Sequence, residues 1–175
     1  MINKEQRVGV FVDVQNMYYS ARALYNSRVN FKEILREAVK GRKLVRAIAY
    51  AVKSGDKDED TFHKALFGIG FEVKLKELQI FYGGNKKADW DVGLSIDAIE
   101  LAPKLDVIIL VSGDGDYIPL VEHLRRALGC KVEVLAFGRS CSSRLREYVD
   151  EFSDLDSLKF VIRKKFSHEN REVKK

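Results

Sequence analysis

Apolar residues in this chain fall into short dense runs separated by stretches of helical spacing. Arg7 to Val14 reads RVGVFVDV, whose continuous apolar centre is the pattern of a strand covered on both faces. Gln15 to Ser27 follows with apolar positions near Met17, Ala21, Leu24 and Tyr25, and Phe31 to Val39 repeats the helical period. Leu44 to Val52 is a second apolar strand. A polar break from Gly55 to Asp60 leads into TFHKALFGIG, a short helix closed by Gly68 or Gly70. Phe71 to Leu75 and Leu78 to Tyr82 read as strand segments around a turn, and a loop from Gly83 becomes a helix at about Asp89 that ends before Pro103. Asp106 to Val111 is the clearest buried strand. It runs into the turn SGDGDYIPL, which opens a helix from Tyr117 to Leu128 closed by Gly129. Lys131 to Phe137 is the last main strand, and GRSCSSRLREYVD after it is a loop and short helix. Strands alternating with helices in this way predict an α/β fold, a mostly parallel sheet with helices on both faces.

A length of 175 residues and a hydrophobic fraction of 46% suit one compact domain that needs neither disulfide nor structural metal. Cys130 and Cys141 have no CxxC or His-rich partner spacing and are expected to be reduced. The start MINKEQRVGVFVDV has no signal-peptide core, and the longest apolar runs, VGVFV and VIILV, are too short to cross a membrane. A cytoplasmic chain without a membrane partner is expected. Net charge is +5, most of it carried by residues 161–175, which hold six basic and two acidic side chains. Residues 1–160 therefore read as a near-neutral domain and 161–175 as a flexible basic tail. Such a tail fits attraction to a polyanion, and it equally fits a solvated terminus.

In an open α/β sheet ligands bind at the carboxyl ends of the strands, where loops and helix N-termini converge. Those ends are acidic here. The first strand closes on Asp13 and Asn16, the buried strand on Ser112, Asp114 and Asp116, and the helix after ADWDVGL brings Asp89 or Asp91 to the same rim. Each carboxylate has an ordinary alternative: Asp116 and Asp89 as N-caps, Asp91 as a first-turn acid, Asp13 as the cap of the helix that follows it. As a group they repel one another, by on the order of 4 kcal/mol for a pair about 4 Å apart at an effective dielectric near 20. A divalent cation relieves that repulsion. All-oxygen ligation suits Mg²⁺ or Mn²⁺, whereas zinc favours His and Cys, and His63, His123 and His168 lie in unrelated segments.

At these residues the sequence resembles the NYN-domain branch of the PIN-like nucleases, specifically the LabA-like group. The matching segments are VFVDVQN at 10–16, KKADWDVGLSIDAIELA at 86–102, VIILVSGDGDYIPLV at 107–121, GCKVEVLAFG at 129–138 and SSRLREYVDEFSDL at 142–155. The resemblance implies a PIN-like three-layer α/β/α sandwich around a mostly parallel sheet of about five strands, and metal-dependent cleavage of RNA. It implies Asp13, Asp91, Asp114 and Asp116 as catalytic, metal-binding carboxylates. Asn16 becomes a residue that orients a ligand or substrate phosphate, Ser143 a small polar rim residue and Ser112 a supporting hydroxyl. Asp97 matches a position that also tends to be Asp, but six residues past Asp91 it is turned by about 120° on an ideal helix, so it is second to the cluster. Many PIN nucleases carry Glu where this chain has the shorter Asp91, which implies weaker or water-mediated metal contact there.

The resulting hypothesis is a ribonuclease in which one or two Mg²⁺ or Mn²⁺ ions activate water for in-line attack on a phosphodiester, leaving a 5′-phosphate and a 3′-hydroxyl. Lys86, Lys87, Arg139, Arg144 and Arg146 are placed to track the backbone of single-stranded RNA. Tyr82, Trp90 and Tyr117 flank the rim as stacking platforms for unpaired bases, with Trp90 equally suited to packing on the sheet. A homodimer is compatible with the chain. The main rival is a non-catalytic RNA-binding or regulatory module of the same fold. A haloacid-dehalogenase-like phosphatase needs D-x-D after the first strand, and here Val14 and Gln15 follow Asp13. A receiver domain needs an acidic pair at that point, which is also missing.

Overall fold

The computed structural model describes residues 2–53, 59–77, 79–80, 86–87 and 89–162. The elements in order are β1 (Arg7–Asp13), α1 (Val14–Tyr25), β2 (Arg28–Val29), α2 (Phe31–Val39), β3 (Lys43–Lys53), α3 (Glu59–Ile69), β4 (Glu72–Glu77), β5 (Gln79–Ile80) and β6 (Lys86–Lys87). They continue with α4 (Asp91–Leu101), β7 (Val107–Val111), α5 (Ile118–Arg126), β8 (Lys131–Ala136), α6 (Ser143–Tyr148), β9 (Glu151–Asp154) and β10 (Val161–Ile162). The main sheet has the order β4-β3-β1-β7-β8-β9, and every pairing in it is parallel. Parallel neighbours need crossover connections, and the helices supply them on both faces. Val10, Val12, Ala47, Ala49, Ile109 and Val111 pack against Met17, Ala21, Ile34 and Leu66 of α1 to α3. Phe11, Ile48, Ile108, Leu110 and Val134 pack against Leu94, Leu120, Val121 and Leu145 of α4 to α6. The α/β/α sandwich is thus the predicted one, and β1 and β7, covered on both sides, explain why VGVFV and VIILV carry no polar residue.

The direction of travel across the sheet reverses between β1 and β7: the chain first builds outward through β3 and β4, then returns to build outward through β8 and β9. A crevice opens beyond the carboxyl ends of strands at such a reversal. Asp13 ends β1 and Ser112 follows β7, so the fold brings two of the predicted acidic segments to that point.

Several boundaries differ from the sequence reading. The sheet has six strands rather than about five, because Glu151–Asp154 forms an edge strand on β8; EFSD has little β-propensity and takes its conformation from that pairing. The helix predicted from Tyr117 begins at Ile118, with Pro119 in its first turn, after a short 3₁₀ turn over Gly115–Tyr117. Asp116 does not cap it; Asp114 caps the 3₁₀ turn by accepting from the Asp116 N–H. Nor does Asp89 cap α4, whose N-cap is Trp90. Val161 and Ile162, placed in the tail by the sequence reading, pair with β2, and residues 163–175 lie outside the described residues. Both cysteines are free, as expected. Among the described residues no helix is long and apolar enough to cross a membrane.

At the opposite end of the sheet an ion pair is buried. The Arg42 guanidinium donates through Nη1 and Nη2 to both carboxylate oxygens of Glu133, each at 2.8 Å, and the two side chains are 2% and 4% exposed. Arg42 also donates to the carbonyls of Ala38 and Val39, closing the end of α2, and Lys131 Nζ donates to Glu133 at 2.8 Å. Burial pushes the Glu133 carboxyl up, but the hydrogen bonds and charges of Arg42 and Lys131 outweigh it and hold the group below its usual 4.5. Its contribution to stability is therefore complete above that value and is lost as pH falls through the lower folded one. Glu133→Ala leaves Arg42 buried without a partner and is expected to cost about 3–5 kcal/mol in urea unfolding at pH 7. The deficit relative to wild type should shrink as the pH is lowered below 4.

Candidate functional site

Asp13 closes β1 with an extended backbone and caps α1: its Oδ1 accepts from the Asn16 N–H at 3.0 Å. The same carboxylate faces a second donor, the Tyr117 hydroxyl, 3.3 Å from Oδ2. That hydroxyl also lies 3.0 Å from Oδ1 of Asp91, the first residue of α4. One phenolic oxygen thus joins the ends of β1 and α4, and its ring is fully buried beneath them. Burial and the charges of Asp13 and Asp91 push the Tyr117 pKa up, so it stays a neutral donor with a single proton to share between two acceptors.

Asp114 follows β7 in the tight turn SGDGD. Its own N–H donates to the fully buried Ser112 Oγ at 3.2 Å, and its Oδ1 accepts from the Asp116 N–H at 3.0 Å. Asn16 clips this turn to α1, its Oδ1 accepting from the Gly113 N–H at 3.0 Å. Gly113 is required by close approach, since a Cβ there would stand 2.9 Å from Cys141 Cα. The start of α6 lies against the same turn, with the Ser142 N–H donating to the Gly113 carbonyl at 2.9 Å. Asp91 is set from the other side by Trp90, whose indole N–H donates to the Ala51 carbonyl at 2.8 Å and whose ring meets Tyr50 edge-on at 5.3 Å. Gly93 lies under that ring: a Cβ would come within 2.7 Å of it.

Burial drives the Asp13 pKa up to about 6, opposed by the Asn16 N–H, reinforced by Asp91, opposed by the Tyr117 hydroxyl and reinforced by Asp114. Asp91 is raised as well, by burial and, against the Tyr117 hydrogen bond, by the charges of Asp89, Asp114 and Asp116. Among the described residues no Lys, Arg or His is ion-paired with Asp13, Asp91, Asp114 or Asp116, and no three His, Cys, Asp or Glu side chains close on a common point. The four carboxylates are gathered within electrostatic reach and have no ionic partner among the described residues. Their donor set fits a hard divalent cation that keeps much of its water, as Mg²⁺ does.

The structure brings Asp13, Asp91, Asp114 and Asp116 to one rim and gives other predicted residues different roles. Asn16 accepts from the turn through its Oδ1. Asp97 is engaged away from the cluster, where its Oδ2 accepts from Tyr50 at 2.7 Å and from Lys74 at 2.6 Å. Tyr117 is buried and offers no stacking face, and Trp90 packs on the sheet. Arg139 pairs with Asp156 and lies over the Tyr25 ring, so it is already committed. Ser143 and Arg144 are exposed in the first turn of α6, and among the described residues Arg144 has no ion pair. The Arg146 guanidinium lies over Phe152. Lys86 and Lys87 form β6, paired with β5; their side chains, like Tyr82, lie outside the described residues. Sequence reasoning missed the bridging role of Tyr117, whose one signal was an aromatic residue directly after GDGD.

A model of the NYN domain matches residues 7–156. The chain belongs to the NYN domain family. It is 28% identical, over 94% of its own length and 91% of the other's, to the low amplitude and bright protein LabA of Synechococcus elongatus. The crystal structure of a protein of unknown function from Vibrio parahaemolyticus superimposes with a TM-score of 0.85 at 39% identity, over 93% of this chain and 99% of that one. NYN membership places the chain among nuclease-like, RNA-related domains, and the acidic rim stands at the carboxyl ends of the strands beside the reversal in strand order, where an open α/β sheet has its crevice.

An uncompensated carboxylate opposes folding. The folded value of Asp13 is raised from 3.8 to about 6, so its cost is absent below about pH 4, grows between the two values and is complete above 6. Asp13→Asn keeps a good N-cap. In chelator-treated protein this variant is expected to be more stable than wild type by ~2–3 kcal/mol at pH 7.5, with the gap closing at pH 4. Thermal melts at the two pH values check it; equal melting at pH 7.5 would mean that Asp13 carries no strain.

Proposed function

We propose that this NYN domain is a metal-dependent ribonuclease that hydrolyses phosphodiester bonds of single-stranded RNA, with Mg²⁺ or Mn²⁺ held by Asp13, Asp91, Asp114 and Asp116. One observation carries the reading: carboxylates from three separate segments stand at the sheet's topological reversal with no ion-paired cation among the described residues. When bound, a divalent ion supplies Lewis-acid activation of water and neutralises charge on the phosphate. The chain's part is orientation. Tyr117 fixes Asp13 against Asp91, the Asp116 N–H fixes Asp114, and the Asn16 clip holds the two strand ends in register. Ser143 and Arg144, on the segment packed against the SGDGD turn, are the rim groups placed to meet a substrate phosphate. Lys86 and Lys87 carry the same role by their position just before α4.

A second reading, an RNA-binding module that does not cut, draws on the absence of three converging ligand side chains among the described residues. The two readings separate on cleavage of a 5′-labelled single-stranded RNA with Mn²⁺, Mg²⁺ or EDTA. The nuclease reading expects cutting that requires metal, leaves 5′-phosphate ends and falls at least a hundredfold in Asp13→Asn and Asp114→Asn. Equal behaviour of wild type and variants favours the binding module.

Tyr117→Phe tests the orienting role without removing a carboxylate. Loss of the hydroxyl is expected to lower Mn²⁺ affinity several-fold, read by titration calorimetry, and to lower the melting temperature of the metal-free protein through a lost charge-assisted hydrogen bond worth about 1.5–3 kcal/mol. Unchanged Mn²⁺ affinity removes Tyr117 from the metal site.

A further inference from the structure

The outer surface of α1 presents two adjacent aromatic residues to solvent. Tyr18 is 43% and Tyr19 61% exposed, on a helix whose other face, Val14, Met17 and Ala21, is buried on the sheet. The two rings meet edge-on, with centroids 5.5 Å apart and planes at 73°, so each keeps a face open to solvent. Arg22 Nη1 donates to the Tyr18 hydroxyl at 3.3 Å, and among the described residues no carboxylate pairs with this guanidinium. No acidic residue occurs between Asp13 and Glu33, while Arg22, Arg28 and Lys32 do. Acid-free surface matters beside a cluster of four carboxylates, which itself repels a polyanion.

Position adds to chemistry. At 1.5 Å per residue Tyr18 and Tyr19 lie roughly 8–9 Å along α1 from Asp13, a distance a few nucleotides span. Exposed rings of this size favour an apolar, flat partner, and the nearby unpaired guanidinium favours a negative one. Unpaired nucleobases on a phosphate backbone meet both demands, whereas a purely apolar protein face leaves Arg22 unmatched.

We propose that Tyr18, Tyr19 and Arg22 form a base-stacking platform that binds single-stranded RNA entering or leaving the acidic rim, and so select unpaired over duplex substrate. The inference rests on the ribonuclease reading, and sharpens it by assigning strand selectivity to a surface outside the carboxylate cluster. Both aromatic side chains are exposed, so their removal leaves the core intact.

The test measures binding in EDTA, where nothing is cut, by fluorescence anisotropy of the full chain with three labelled probes: a single-stranded oligonucleotide, the same length as a blunt duplex, and an abasic strand with the same backbone. Tyr18→Ala/Tyr19→Ala is expected to weaken the single strand roughly tenfold or more and to leave the abasic strand unchanged. Tyr19→Trp restores binding, and Arg22→Ala lowers the slope of log affinity against log salt by about one. Equal single-strand affinity in wild type and the double alanine variant overturns the platform and leaves the nuclease reading standing. Equal weakening of abasic and base-bearing strands also overturns it, because stacking then contributes nothing. A wild type that binds none of the probes and cuts no RNA removes both readings together. If the double variant changes the oligomeric state in light scattering but keeps its RNA affinity, the surface belongs to a protein contact and the platform is overturned.

Discussion

The central strands of a parallel sheet covered on both faces have no lateral surface on which to place a charge. Polar groups of its central strands are pushed to the two ends, where the backbone leaves the sheet, and the whole character of this molecule follows from how those ends are treated. At one end the charges are paired. Glu133 meets the Arg42 fork and Lys131, and Lys131 also reaches Glu151, so the negative groups there have basic partners. At the other end they are not: Asp13, Asp91, Asp114 and Asp116 share backbone N–H groups and one phenolic hydroxyl but no ionic partner among the described residues. The same physical problem is solved for stability at one edge and left open at the other. An edge left open is where a ligand lowers the free energy most, because binding removes a repulsion already built into the fold.

That asymmetry explains which parts were legible in the sequence. Runs such as VGVFV and VIILV announce strands with two buried faces, and the alternation of strands and helices announces the sandwich. The acidic rim was legible for a related reason: a carboxylate that ends an apolar strand has few structural excuses, and Asp13 and Asp114 end the two central ones. Asp13 does cap α1, so the bland reading and the functional one describe the same side chain. Capping ties up one oxygen and leaves the other to Tyr117.

What stayed hidden depends on pairings between segments distant in the chain. Nothing near Glu133 in KVEVLAF names Arg42 as its partner, 91 residues away. EFSD at 151–154 has no strand signal of its own and becomes β9 because β8 offers it an edge. Tyr117 looks like an exposed rim aromatic when only its neighbours Asp116 and Pro119 are considered. It turns inward because the 3₁₀ turn over Gly115–Tyr117 carries its ring into the pocket among Leu94, Val121 and Leu145. Nor does the sequence near Asn16 name its Oδ1 as the acceptor for the Gly113 N–H, 97 residues away.

The inward turn of Tyr117 also reshapes the question of how RNA would be held. With Tyr117 and Trp90 both committed to fixing the carboxylates, the aromatic residues closest to the rim in sequence contribute rigidity rather than contact. In the proposed reading, orientation of the acidic groups and recognition of a strand are separate tasks, assigned to buried and exposed aromatics respectively. The exposed pair on α1 follows the Asp13 cap by five and six residues, so one helix start links the two tasks. Its first residues fix the strand end and the SGDGD turn, and its next turn presents Tyr18 and Tyr19 to solvent. The Asp13 cap and the Asn16 clip thus fix the acidic rim and the aromatic surface to one rigid element, α1.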